Sequence, residues 1–233
     1  MVMEGEGMEE LRTVLEECRI TNSFPKGWGL TEIRWLFKKD DPVQITNYRP
    51  IALTDTQYKI YMRILTERVE AVVEQGKLIS DEQHGFRRDR SCQSAIMSLK
   101  YIMAKHKAKR KALHIAYLDI SKAYDTENHK QLWHVCQSYG ITGKWLENLQ
   151  KLYEGTRIRS LTSQGPTVEV DMKRGIRQGC PLSPVLFALY IQPIAEALKE
   201  TMAGKNKVKS DRPNMLFYAD DMVLWGNKSR SNK

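Results

Sequence analysis

Phe217-Tyr218-Ala219-Asp220-Asp221-Met222-Val223-Leu224-Trp225 sets two adjacent carboxylates in the middle of an otherwise apolar stretch. Like charges side by side repel unless a cation is held between them. Residues 215–218 and 222–225 have the length and apolar content of two short buried strands. The Asp220-Asp221 pair between them is expected to form a tight turn that presents both carboxylates on one side. An ordinary acidic hairpin turn fits the same letters, so the rest of the chain has to separate the two readings.

A third carboxylate stands in a comparable place. From Ala112 onward, Leu113, Ile115, Tyr117 and the apolar residues between them make a strand, expected to be buried, that ends at Asp119. If these strands are neighbours in one antiparallel sheet, Asp119, Asp220 and Asp221 meet at one end of it and form a site for two divalent ions. Hard oxygen ligands suit Mg²⁺, with Mn²⁺ as an alternative, rather than zinc. Cys18, Cys92, Cys136 and Cys180 are too far apart for a zinc knuckle and argue against a disulfide framework, which makes a reducing, intracellular setting the expectation.

The composition agrees with a folded chain that meets a polyanion. With 233 residues, 41% of them hydrophobic, a sizeable core can be buried. The formal charge is +9, which fits a nucleic-acid partner. No apolar run reaches the length of a membrane-spanning helix, and the acidic first ten residues lack the pattern of a signal peptide. Lys105-His106-Lys107-Ala108-Lys109-Arg110-Lys111 reads as a solvated loop, a phosphate contact or a nuclear signal.

Periodicity supplies the remaining elements. Leu11, Val14, Leu15 and Cys18 predict a short helix, and Ile33, Trp35 and Phe37 alternate as in a strand. Tyr58, Tyr61, Met62, Leu65, Val69, Val72 and Val73 line one face of a longer helix. Cys92, Ala95, Ile96, Leu99, Ile102 and Met103 repeat that spacing behind a cap at Ser91. Helices follow over residues 127–139, stopped by Gly140, and 143–153. Residues 157–161 and 167–172 predict a hairpin, and a Gly-rich loop from Arg174 to Pro181 leads into an apolar helix over 182–198 containing Pro193.

Five blocks in order, Asn47-Tyr48-Arg49-Pro50-Ile51-Ala52-Leu53, His84-Gly85-Phe86-Arg87-Arg88-Asp89-Arg90-Ser91, Tyr117-Leu118-Asp119-Ile120-Ser121-Lys122-Ala123-Tyr124-Asp125, Gly175-Ile176-Arg177-Gln178-Gly179-Cys180-Pro181-Leu182-Ser183-Pro184 and Tyr218-Ala219-Asp220-Asp221, resemble those of reverse transcriptases, particularly of non-LTR retrotransposons. Together they are far more specific than any one alone. The resemblance implies an α+β right-hand polymerase with fingers over residues 1–111, including an N-terminal extension, and an incomplete palm over 112–233. The palm has a small antiparallel sheet backed by helices. The reverse transcriptase domain itself spans about 33–226, and the thumb is expected to be missing because the chain ends soon after Asp221.

The resemblance also implies an RNA-directed DNA polymerase that adds deoxynucleotides to a primer 3′-hydroxyl by two-metal phosphoryl transfer. Asp119, Asp220 and Asp221 then ligate the two Mg²⁺ ions, with the Ile120 carbonyl as a further oxygen. Tyr124 lies under the sugar and excludes a 2′-hydroxyl. Gln178 and Gly179 lie against the incoming nucleotide, and Arg87 or Arg90 grips triphosphate oxygens. Implied partners are an RNA template, a primer 3′-end and dNTPs, with no membrane. His84, His129 and His134 have structural or surface roles, and Asp125 caps or pairs. A second expectation, from a different class, is a catalytically silent retroelement remnant, at most a basic RNA-binding module.

Overall fold

The structure, a computed structural model, describes residues 5–120, 123–205 and 214–226. The sequence readings at residues 121–122 and 227–233 lie outside the described residues. The chain divides into two compact units, one made of Met1–Val69 and Tyr124–Ser183, the other of Glu70–Ala123 and Pro184–Lys233. Each unit is therefore assembled from two separate stretches, whereas the sequence division into 1–111 and 112–233 uses consecutive halves.

The first unit carries a five-stranded sheet. Strand β1 (Leu30–Phe37) pairs antiparallel with β2 (Tyr48–Thr54) from Thr31↔Thr54 to Phe37↔Tyr48, and parallel with β4 (Arg157–Thr162) from Leu30↔Arg157. Two short strands, β5 (Gly165–Pro166) and β6 (Val170–Asp171), pair back on β4. The parallel pairing does not follow from periodicity, since it depends on a partner distant in sequence.

Helix α1 (Gly5–Thr21) precedes this sheet, and α2 (Thr56–Gln75) follows β2. The apolar stripe predicted for α2 is buried at Tyr58, Tyr61, Met62, Leu65, Val69 and Val73, and Asp55 Oδ1 caps it by accepting the Tyr58 N–H at 3.1 Å. Within the first unit, α4 (Ala123–Thr126) leads into α5 (His129–Ser138), whose cap Asn128 accepts from Lys130 and Gln131 N–H groups. Gly140, at φ +79°, ends that run as predicted, because the left-handed conformation there suits glycine. Helix α6 (Lys144–Glu154) buries Leu146, Leu149, Leu152 and Tyr153.

The second unit carries α3 (Cys92–Ala108), α7 (Ser183–Lys205) and a three-stranded antiparallel sheet in the order β3 (His114–Asp119), β8 (Asp221–Gly226), β7 (Met215–Tyr218). Ser91 caps α3 as predicted, in a capping box with Ser94. Helix α7 supplies much of the core through Val185, Leu186, Phe187, Ala188, Leu189 and Ile191. Met215 and Phe217 of β7 are buried as well.

Two expectations change. Strand β3 is not buried: it sits at the edge of its sheet, and Tyr117 is 68% exposed. An apolar run records β propensity but not which edge of a sheet it takes. The hairpin turn also shifts by one residue, since Tyr218 pairs with Asp221 and the turn consists of Ala219 and Asp220.

Candidate active site

Register decides where the acidic residues of the second unit stand. Asp119, the last residue of β3, lies directly opposite Asp221, the first residue of β8, while Asp220 occupies the adjoining turn. Three carboxylates thus gather at one end of one sheet, two of them as a cross-strand pair of like charges, an arrangement that weakens a sheet. Asp119 and Asp221 are exposed, Asp220 is half-buried, and among the described residues none of the three has an ion-pair or side-chain hydrogen-bond partner.

That donor set fits a hard divalent cation: oxygen ligands only, uncompensated charge and open solvent access. Among the described residues no three acidic, His or Cys side chains already form a closed metal-binding group.

The turn rests on a strut that the sequence reading missed. Gln83 is buried, its Oε1 accepts the N–H groups of Ala219 (3.0 Å) and Gly85 (2.8 Å), and its Nε2 donates to the Ala219 carbonyl (3.3 Å). On either side, the Phe217 N–H donates to the Glu82 carbonyl and the His84 N–H to the Phe217 carbonyl, both at 2.8 Å. The only signal for this in the sequence is an uncharged Gln two residues before a Gly in an otherwise charged block.

Two arginines of that block, Arg87 and Arg90, are held by protein partners. Arg87 donates to both oxygens of Glu74 (2.9 and 2.7 Å) and to the Ser80 carbonyl (2.8 Å), with its side chain only 7% exposed. This fork keeps the Glu74 carboxyl below its usual range. Arg90 donates to the carbonyl and carboxylate of Asp81, both at 2.6 Å. His84 contacts Ser94 Oγ at 2.8 Å, and burial, helped by the nearby Arg90 and Arg87 charges, lowers its pKa, which leaves it a neutral structural residue at pH 7.

The other predicted contacts lie in the first unit. Gly175, at φ +87°, brings the loop of residues 175–180 so close to α4 that a Cβ would stand 2.7 Å from the Tyr124 carbonyl. The same carbonyl accepts the Ile176 N–H at 2.7 Å, and the Glu127 carbonyl accepts the Gly175 N–H at 2.8 Å. Gln178 Nε2 donates to Asp125 Oδ1 at 3.1 Å, so Gln178 and Tyr124 belong to one braced segment. His129 Nε2 donates to the Gly175 carbonyl at 2.8 Å, a structural role.

Gly179, at φ +81°, lies against Ala52 of β2, where a Cβ would approach its carbonyl to 3.1 Å. Between Ile176 and Gln178, Arg177 is fully buried: it donates to Thr31 Oγ1 (3.0 Å) and the Leu30 carbonyl (3.1 Å) and stacks on Tyr58 at 4.1 Å. Glu127 is buried beside this loop, and burial raises its carboxyl to about 7.

Residues 37–232 match the family described as "Reverse transcriptase (RNA-dependent DNA polymerase)". Over 218 residues the chain is 28% identical to the transposon TX1 uncharacterized 149 kDa protein of Xenopus laevis, an overlap of 92% of this chain and 16% of that one. It is also 28% identical over 206 residues to the retrovirus-related Pol polyprotein from type-1 retrotransposable element R2 of Popillia japonica, covering 86% of this chain and 28% of that one. The chain thus spans less than a third of either relative. Among solved structures it resembles apo telomerase from Candida tropicalis truncated from its C-terminal domain, with a TM-score of 0.60 over 87% of this chain and 44% of that chain. At 12% identity that likeness is one of fold alone.

Proposed function

Because the chain belongs to the reverse transcriptase (RNA-dependent DNA polymerase) family, we propose that it carries the catalytic carboxylates of an RNA-directed DNA polymerase and adds deoxynucleotides to a primer 3′-hydroxyl on an RNA template. The observation that supports this most is the register Asp119↔Asp221 with Asp220 in the adjoining turn. A like-charge pair opposed across two strands costs stability and is retained where a cation is to be bound.

Reverse transcriptases generally use divalent metal ions; here Asp119, Asp220 and Asp221, with the Ile120 carbonyl, would hold two Mg²⁺. Bound there, Mg²⁺ supplies Lewis-acid neutralisation of phosphoryl charge and makes a hydroxyl a better nucleophile. The residues themselves gather negative charge at one sheet end and keep it open to solvent.

Gln178 would orient the incoming nucleotide, and Gly179 would let its backbone approach. Arg87 and Arg90 would have to exchange a carboxylate for a triphosphate, one anion for another, and the more exposed Arg90 does so at lower cost.

The test is primer extension by the purified chain on an RNA template with dNTPs and Mg²⁺, run beside a template–primer binding assay. Extension supports the reading. A folded chain that binds template–primer and extends nothing would reduce it to a basic RNA-binding module.

Tyr124 carries a second expectation. Its backbone carbonyl accepts the Ile176 N–H and its side chain is half-buried. Tyr124→Ala should lower the preference for dNTPs over rNTPs on the order of 100-fold, by removing a steric bar to the 2′-hydroxyl. The ratio of kcat/KM for the two sugars measures it, and an unchanged ratio removes the role.

A further inference from the structure

We propose that Gln83 is a positioning residue for the carboxylate-bearing turn, holding Ala219 in a left-handed conformation so that Asp220 and Asp221 stand where they can share metal ions; this rests on the polymerase reading above.

The argument starts from Ala219. Its φ is +57°, in the first position of a two-residue hairpin turn, where glycine is the usual choice because a Cβ is strained there. Gln83 takes hold of both backbone polar groups of that one residue: Oε1 accepts the Ala219 N–H and Nε2 donates to the Ala219 carbonyl. With Gln83 only 3% exposed, neither bond has water as a ready substitute.

The clamp is itself fixed. Residues 82–85 run beside β7 through a bridge between Gln83 and Phe217. Gln192 on α7 accepts the Ser80 N–H at 3.0 Å, Lys199 on α7 pairs with Glu82 at 2.6 Å, and Ser94 on α3 meets His84. Arg87 ties Ser80 to Glu74 at the end of α2. The strut is thus moored to α3, to α7 and to Glu74 in the last turn of α2, all through residues of the second unit, and movement of the turn would have to pull against all of them.

Gly85 completes the fit. A Cβ on it would stand 2.3 Å from the Ala219 nitrogen, a backbone atom that cannot swing aside. Glycine is therefore required here by the closeness of the turn. The role differs from that of an ordinary satisfied core amide in being aimed at the single strained residue that sets where Asp220 points.

Gln83→Leu keeps the volume and removes the clamp, and Gly85→Ala pushes the turn from the other side. Both are compared with the wild-type chain in three measurements: Mn²⁺ binding followed by electron paramagnetic resonance, the Mg²⁺ concentration giving half-maximal primer extension, and amide hydrogen exchange at Ala219 and Gly85. The expected result is at least a tenfold weaker Mn²⁺ affinity and a matching rise in half-maximal Mg²⁺ in variants that remain folded, with faster exchange at Ala219. Folded variants with wild-type Mn²⁺ affinity and Mg²⁺ dependence overturn the proposal.

A merely structural amide would lower thermal stability without moving either metal dependence, and that result also overturns it. If the wild-type chain neither binds Mn²⁺ nor extends a primer, the polymerase reading fails. The clamp is then judged by exchange alone: slow exchange at Ala219 and Gly85 in the wild type supports it, and fast exchange overturns it. The same wild-type exchange measurement decides if neither variant folds.

Discussion

Asp221→Asn is expected to abolish Mg²⁺-dependent primer extension while making the metal-free chain slightly more stable. The two effects come from the same geometry. Asp221 faces Asp119 across β8 and β3, so in the absence of a cation each raises the energy of the other. Removing one charge relieves about 0.2–1 kcal/mol of cross-strand repulsion.

The catalytic loss is much larger. A bound divalent ion supplies several kcal/mol of charge stabilisation, so extension should fall by more than about 10³-fold. Template–primer binding should be nearly unchanged, because it rests on the cationic surface rather than on a carboxylate. A third reading separates metal binding from catalysis. Mg²⁺ should raise the unfolding midpoint of the wild-type chain through binding to the folded state, and should do so far less in Asp221→Asn. A variant that extends as well as the wild type, or that loses stability without metal, would remove the metal-site assignment.

The placement of these carboxylates was legible in the sequence where it depended on local pattern. Adjacent carboxylates in an apolar stretch, and another at the end of a strand, are enough to foresee Asp119, Asp220 and Asp221 in one antiparallel sheet, and the structure has that sheet. The buried stripe of α2 and the caps at Ser91 and Gly140 were legible for the same reason: each is set by spacing or by one residue's conformational preference.

What was hidden depends on distant partners. The turn lies one residue from where it was expected, and the partner of its first residue, Ala219, is Gln83, 136 residues away in sequence. Arg87 and Arg90 are expected from the resemblance to grip triphosphate, and their pairing with Glu74 and Asp81 was not legible, because the sequence does not disclose the partner of a charge. The exposure of Tyr117 and the parallel pairing of β1 with β4 depend on strand order, which alternation cannot specify. The interleaving of two units follows from the same non-local pairing, since each sheet or helix layer draws on stretches that are far apart in the chain.

Arg177 gives the second large expected effect, and it turns on which of two opposed terms wins. The guanidinium is 1% exposed and among the described residues has no carboxylate partner, so its burial carries a desolvation cost of several kcal/mol. Against this stand the stacking on Tyr58, about 2 kcal/mol when desolvated, and two charge-assisted hydrogen bonds of about 1.5–3 kcal/mol each, to Thr31 and the Leu30 carbonyl. The terms nearly balance, and Nη1 is left without a partner among the described atoms.

Substitutions should therefore divide by shape rather than by charge. Arg177→Ala removes the attractions and leaves a cavity beside Tyr58, and should cost about 3–4 kcal/mol in urea unfolding. Arg177→Met refills the volume and removes the buried charge, so its cost should stay near 1 kcal/mol. The function should nonetheless suffer in the Met variant. Arg177 fastens the loop between Gly175 and Gly179 to β1, and without that fastening Gln178 loses its fixed approach to Asp125. The expected result is a rise of about tenfold in KM for dNTPs, about 1.4 kcal/mol of lost orientation. Equal destabilisation of the Ala and Met variants would show that the hydrogen bonds outweigh the buried charge, and an unchanged KM in a folded Met variant would show that the loop holds its position without Arg177.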